Sequence, residues 1–335
     1  MAKVGVVGTT SWGTTLATLL AECDNSVMLW ARTPDEAEVL GGDGENRRFL
    51  PGVKFPPGLI VTPSADEAFS GADLVLIVVP SSTFRDNVRR VASSFNADAV
   101  VVSATKGLEA ATGLRMSQVL AEEMPRGNKD NICALSGPNL AREIVQGKPS
   151  STVVASQNPD AAVKAQHIIN SPPRLRVYTN DDIVGVEFGG ALKNIIALGA
   201  GVCDGRGYGD NAKAAFMTRG LAEIGRLAAA AGAKPLTLAG LAGLGDLVAT
   251  CSSSLSRNHY VGEQLAKGKS IDEIRGSMVN VAEGVDTTAA AMGLSRKLGV
   301  EMPITQALYG VLFEGVPLDE AISQLLERAP GSEFL

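Results

Sequence analysis

The sequence predicts a doubly wound α/β domain over residues 1–180 followed by an all-helical domain over residues 181–335. Three observations carry this. From residue 3 to about 178, short β-branched runs alternate with segments of helix length, the pattern of βαβ units. Some of those runs, Leu74 to Val79 for instance, are apolar at every position, as strands covered on both faces are. After Asn180 the β-branched runs stop, and long segments of helical character follow, separated by glycine-rich turns. A chain of 335 residues has room for two such domains, each with a core of ordinary size.

In chain order the strand runs are KVGVV, SVMLW, LIVT, DLVLIVVP, DAVVVSA, NICALS, STVVAS and LRVYT. Residues 41–58, GGDGENRRFLPGVKFPPG, have no period and are rich in glycine and proline, so they read as a long surface loop. In the second half, helices are read at 181–203, 210–232, 283–299, 303–314 and 317–328. The most membrane-like stretch is IVGVEFGGALKNIIALGAGV, from Ile183, but Glu187 and Lys193 lie inside it. Each is costly at a bilayer centre. It reads as a buried helix, and no integral membrane segment is expected.

The net charge of −6 and pI near 5.2 argue against a nucleic-acid partner bound through a general basic surface. The four cysteines, Cys23, Cys133, Cys203 and Cys251, form no C-x-x-C pair. Neither a zinc site nor a disulfide framework is suggested, and they read as buried thiols in a reducing compartment. The N-terminus enters the first strand without the charged region and apolar core of a signal peptide, so the cytoplasm is the expected location.

The first β run passes into a helix through GTTSWG. Gly8 and Gly13 occupy the first and third positions of G-x-G-x-x-G, and Thr10 stands at the middle one, where the backbone approaches a pyrophosphate most closely. The N–H groups of Ser11 to Gly13 would face that pyrophosphate, and the Thr10 hydroxyl could donate to it. An ordinary tight turn is the other reading. At the end of the second strand, in LWART, Arg32 stands where NAD-specific proteins often carry an acid. An arginine there can pair with a 2′-phosphate, which tilts the choice toward NADP(H). A solvated Arg32, with Asp35 nearby, keeps NAD(H) open.

Lys106, in SATKGLE, and the turn SGPN at Ser136 to Asn139 each follow a strand, at the edge where open α/β sheets bind ligands. A surface lysine and a plain turn would look the same. Lys193 lies mid-helix among Gly189, Gly190, Gly199 and Gly201. Each glycine costs a helix up to about 1 kcal/mol, so another element or a ligand must approach closely. A lysine buried there has a lowered pKa and suits acid/base chemistry. An ion pair with Glu187 is disfavoured, because six positions of separation put the two on different helix faces. Further on, GLAGLGDLVATCSSSLSRNHY gathers Asp246, Thr250, Ser256, Arg257 and Asn258. That mixture of donors around one arginine suits an anionic ligand. Of the two histidines, His167 is read on a surface helix and His259 as a satisfied structural residue; no Ser/His/Asp or metal-ligating cluster emerges.

Taken together, GTTSWGTTLA, NRRFLPG, VVPSSTF, ATKGLE, SGPNLAREI, GVEFGGALKNIIALGAG, TRGLAEIGRL, GLAGLGDLVATC with SRN, VAEGVDT and MPIT resemble the bacterial NAD(P)-dependent glycerol-3-phosphate dehydrogenases. The blocks run in order from residue 4 to about 314. The resemblance implies a Rossmann-type domain, a helical substrate domain and a homodimer. It further implies reversible reduction of dihydroxyacetone phosphate to sn-glycerol 3-phosphate for glycerophospholipid synthesis.

By the same resemblance, Gly8, Ser11, Trp12, Gly13, Arg32, Lys106, Ala141, Arg257, Val281 and Glu283 contact NADP(H) or NAD(H), with NADPH favoured. Lys106, Gly137, Asn139, Lys193, Asp246, Ser256, Arg257 and Asn258 surround the substrate. Lys193 is the proton donor and acceptor, tuned by Lys106 and Asp246, and the phosphate is held by Arg257 with Ser256 and Asn258. Thr10, Asn139 and Thr33 depart from the family's usual residues, a glycine, a serine or threonine, and a second basic residue. A dehydrogenase of a 3-hydroxy acid or of ketopantoate would share the turn and a lysine but not SRN. A non-catalytic dinucleotide-binding regulator would have no need of Lys106, Lys193 and Asp246 together.

Overall fold

The eight aliphatic and β-branched runs read as strands in the first half of the chain are extended. In this computed structural model, which describes residues 1–124, 126–278, 282–329 and 333, those runs are β1 (Lys3–Val7), β2 (Ser26–Trp30), β3 (Leu59–Thr62), β4 (Leu74–Ile77), β5 (Val100–Ser103), β6 (Ile132–Ser136), β7 (Ser150–Ala155) and β8 (Leu175–Asn180). They form one sheet in the order β3-β2-β1-β4-β5-β6-β7-β8. The first six strands follow the 3-2-1-4-5-6 order of a dinucleotide-binding sheet, whose ligand crevice opens where the order reverses. Here that point lies between β1 and β4.

The sheet is parallel except at the β6–β7 pairing, which is antiparallel with Ala134 opposite Ala155, so β7 and β8 both run against the first six strands. The intervening helix, Ala141–Val145, has only five residues. At about 1.5 Å per residue it is too short to carry the chain back along a strand rising about 3.3 Å per residue.

The chain divides into two compact units, Met1–Thr105 with Met116–Ile183, and Lys106–Arg115 with Val184–Leu335. In the first, the sheet is covered by α1 (Ser11–Ala21), α2 (Pro34–Asp43), α3 (Ala65–Phe69), α4 (Phe84–Val91), α5 (Met116–Glu123), α6 (Ala141–Val145) and α7 (Pro159–Ile169). Val4, Val6, Leu16, Leu20, Leu29, Leu76 and Val102 fill its core. The loop expected over 41–58 is shorter and better anchored than its composition suggests. The helix α2 runs on to Asp43 and stops where Gly44 turns left-handed (φ 61). Beyond it Leu50 is buried, and the buried Asn46 amide donates to Thr9 O (2.7 Å) and Thr14 Oγ1 (2.9 Å). Cys23 is only partly buried, unlike the other three cysteines.

The second unit is helical: α8 (Ile183–Gly205), α9 (Gly209–Ala230), α10 (Pro235–Leu238), a π-helical turn (Leu241–Gly245), α11 (Asp246–Ser252), α12 (Arg257–Ala266), α13 (Ile271–Ser277), α14 (Glu283–Leu298), α15 (Pro303–Phe313) and α16 (Leu318–Leu326). The axis of the unit is α8, whose most apolar window is 89% buried, so its hydropathy serves a protein core. Its glycines mark places where other backbones touch it. A Cβ on Gly201 would lie 2.0 Å from His259 O, and one on Gly262, across in α12, would lie 1.9 Å from Leu198 O. The helix cost of those glycines is therefore offset by a close α8–α12 crossing.

Candidate active site

The turn after β1 needs its two glycines for different reasons. Gly8 has φ +119, and a Cβ there would meet Val78 O at 2.4 Å; a Cβ on Gly13 would meet Gly8 O at 2.0 Å. Thr10 fits the middle position because its side chain turns inward. Its hydroxyl donates to Val78 O (2.9 Å) and accepts from Gly13 N (3.1 Å), capping α1. This corrects the expectation that the hydroxyl serves a phosphate and that the Gly13 N–H stays available, since a capping oxygen is what a helix start demands. Ser11 and Trp12 keep N–H groups that precede the first intrahelical bond, Thr14 N to Thr10 O. A cradle with no room for a Cβ at either glycine, beneath a helix N-terminus, fits a pyrophosphate.

At the end of β2, the Arg32 side chain is exposed, and the Arg32 backbone N–H donates to Glu36 Oε2 (3.0 Å). On the far side of the sheet's reversal point, Gly137 is left-handed (φ +152) with Thr152 beneath it. Asn139 donates from Nδ2 to Thr152 Oγ1 (3.0 Å), while its Oδ1 and the Ser136 hydroxyl are buried without a partner among the described residues. Such orphaned atoms are uncommon in folded proteins and suit a polar ligand. Ala141 opens α6 and is half-buried.

In the helical unit four polar side chains converge in an apolar surround. Asp246, at the start of α11, is 2% exposed and its two oxygens take one lysine each. Lys193 Nζ donates to Oδ1 (2.6 Å), and Lys106 Nζ, from the segment Lys106–Arg115, donates to Oδ2 (2.5 Å). Lys193 also donates to Thr250 Oγ1 (2.5 Å), one turn along α11. Burial pushes the Lys193 ammonium down to about 8; the Asp246 carboxylate opposes that shift and the Lys106 charge adds to it.

The loop carrying Lys106 is fastened at its other end by Arg115, whose guanidinium pairs with the buried Glu187 carboxylate on α8. Glu187 thus has its own partner and leaves Lys193 to Asp246.

The cap of α12 is Ser256, which accepts from His259 N (3.2 Å), so Arg257 is the first helical residue and is exposed. Asn258 is buried, and its Oδ1 accepts from Gly284 N (2.9 Å) at the head of α14. A Cβ on Gly284 would lie 2.7 Å from Asn194 O. The start of α12, the start of α14 and the stretch of α8 beside Lys193 therefore meet. His259 is satisfied by Asp204 (Nε2 to Oδ2, 2.7 Å), which also pairs with Lys213.

A family model for the N-terminal part of NAD-dependent glycerol-3-phosphate dehydrogenase matches residues 3–162, and one for its C-terminal part matches residues 182–323. The chain belongs to this family. A glycerol-3-phosphate dehydrogenase [NAD(P)+] of Dehalococcoides mccartyi is 53% identical over 335 residues, covering 100% of this chain and 93% of that protein. Its counterpart in Chlorobium limicola is 49% identical over 330 residues, covering 98% and 99%. The crystal structure of glycerol-3-phosphate dehydrogenase from Coxiella burnetii superposes with a TM-score of 0.91 at 36% identity, covering 98% of this chain and 99% of that one.

Within this glycerol-3-phosphate dehydrogenase fold, Glu283 heads α14, and Val281 lies outside the described residues. Sequence reasoning passed over Arg115. The signal for it was Glu187, an acid inside an apolar helix that needs a buried cation.

Proposed function

We propose that the protein catalyses reversible NAD(P)H-dependent reduction of dihydroxyacetone phosphate to sn-glycerol 3-phosphate. The observation that carries the reading is the single buried carboxylate of Asp246 bridging two lysines, one of them drawn down to about 8. In this proposal Gly8, Ser11, Trp12, Gly13, Arg32, Lys106, Ala141, Arg257, Val281 and Glu283 hold the cofactor, and the Arg32 guanidinium favours NADPH. When bound, the nicotinamide supplies a hydride to the carbonyl carbon in reduction and takes it back in oxidation.

The chain's own residues handle the charge and the proton. Negative charge grows on the carbonyl oxygen and must be met by a donor already in place. Lys193 gives its proton to that oxygen and becomes neutral, which its lowered pKa makes accessible near pH 8. Asp246 and Thr250 fix the Lys193 nitrogen by two hydrogen bonds, so little reorganisation is needed. Lys106 adds positive charge on the second carboxylate oxygen. Arg257, with Ser256 and Asn258, binds the remote phosphate, whose binding energy positions the reacting carbon. Gly137 and Asn139 complete the substrate contacts; the unpartnered Asn139 Oδ1 supports that role.

The family resemblance supports three further parts of the proposal: a homodimer, a cytoplasmic location, and supply of glycerophospholipid synthesis. The test is oxidation of NADPH and of NADH, measured separately, with dihydroxyacetone phosphate and with unphosphorylated dihydroxyacetone. The phosphorylated ketone should be consumed rapidly and the other very poorly. Comparable turnover of the two ketones would remove the phosphate clamp and favour a hydroxy-acid substrate.

A further inference from the structure

Glu36 lies where the first βα turn and the end of β2 come together. It is the third residue of α2, and its N–H donates to the cap residue, Thr33 Oγ1 (3.2 Å). Its carboxylate does more than close a helix start. One oxygen accepts from Thr9 Oγ1 (2.6 Å), directly after Gly8, and the other accepts from Arg32 N (3.0 Å). Because β1 and β2 are parallel neighbours with Val7 opposite Trp30, these two contacts fix the carboxylate across the gap between the two strand ends. The side chain is half-buried there, while Arg32 extends into solvent.

In a sheet of this order a dinucleotide has its pyrophosphate on the helix after β1 and its adenosine ribose at the end of β2. An acid in that place accepts a hydrogen bond from the ribose 2′-hydroxyl, and the same charge repels a 2′-phosphate. Each carboxylate oxygen of Glu36 has one protein donor and a second lone pair to spare. Arg32 alone reads as a determinant for NADPH, but its backbone is held by a group of the opposite preference.

We propose that Glu36 is a specificity-determining residue for the cofactor: its carboxylate receives the 2′-hydroxyl of NADH and opposes the 2′-phosphate of NADPH. Glu36 thereby narrows the preference that Arg32 would otherwise impose. The inference rests on the reading of the turn as a dinucleotide site.

The test is binding of NADH and NADPH, each titrated by fluorescence or calorimetry into the protein without substrate, so that no turnover enters. Glu36→Gln keeps the size and one acceptor and removes the charge. It should tighten NADPH and weaken NADH, moving the ratio of the two dissociation constants by about tenfold or more, the scale of one hydrogen bond to a charged group. Glu36→Ala should move the ratio in the same direction. Thr33→Ala removes the α2 cap while leaving the carboxylate, and should change both affinities by the same factor.

If Glu36→Gln and Glu36→Ala also change both affinities equally, Glu36 is a structural cap and the proposal is overturned while the dinucleotide reading stands. If the native protein binds neither nucleotide, the dinucleotide reading itself fails.

Discussion

Lys193 Nζ lies 2.6 Å from Asp246 Oδ1, and neither side chain has more than a trace of solvent contact. Burial holds the ammonium down to about 8 against the pull of the carboxylate. Ketone reduction needs the protonated lysine, so its rate should fall as pH rises through about 8; alcohol oxidation needs the neutral amine and should rise over the same interval. Profiles of kcat in both directions from about pH 6.5 to about 9.5 check this. Parallel profiles in the two directions would contradict it.

The same shift bears on folding. Between about 8 and the ordinary lysine value of 10.5 the unfolded chain holds a proton on Lys193 that the folded chain has shed. The cost of burying this ammonium is therefore relieved as pH rises through that window, and it is fully present again once pH has fallen below about 8. Urea denaturation at several pH values, native against Lys193→Met, should show the native slope to be the more positive there.

Much of the fold was legible because buried strands of a parallel sheet are apolar without interruption, as in Leu74 to Ile77. The direction of β7 was not, since it depends on how little helix joins it to β6. The short helices between Pro235 and Ser277 were also hidden: GLAGLG is a poor helix former, held by approaches such as Gly243 under Leu238 O (2.1 Å from a Cβ), and SSSLS supplies the break between α11 and α12. At the site, a lone lysine among glycines in an apolar helix announced itself. The partners of Thr10 and Glu187 did not, because Val78 is 68 positions from Thr10 and Arg115 is 72 from Glu187.

The glycines of the second unit are separable by substitution. Gly201→Ala would place a Cβ 2.0 Å from His259 O, whereas Gly293, in α14, has nothing within 4 Å. Gly201→Ala should destabilise by about 1–3 kcal/mol or more, and Gly293→Ala should stabilise by about 0.5–1 kcal/mol. Chemical denaturation reads both. Equal effects would mean that the α8–α12 crossing is looser than the structure has it.

Thr10→Gly removes a cap that glycine replaces at a cost of only a few tenths of a kcal/mol. Activity should stay within about a few-fold of native, because the N–H groups of Ser11 and Trp12 remain. A variant that gains activity from an inactive native protein would overturn the dehydrogenase reading.

Arg257→Ala should raise KM for dihydroxyacetone phosphate sharply, since a charge-assisted contact to a dianion is worth more than the neighbouring hydroxyl and amide can restore. Thermal stability should hardly change, as Arg257 is exposed at a helix start. An unchanged KM would place the phosphate elsewhere.

The most direct test of the account is kcat of Lys193→Met, measured together with NADPH affinity and folded content. Methionine keeps the length and apolar stem, and Asp246 keeps its bond to Lys106. The variant should fold and bind NADPH while kcat falls by about 10²–10⁴-fold, the range for a positioned acid/base group. A folded variant that binds NADPH and turns over at near-native rate would contradict the account and move the proton to another group, Lys106 first.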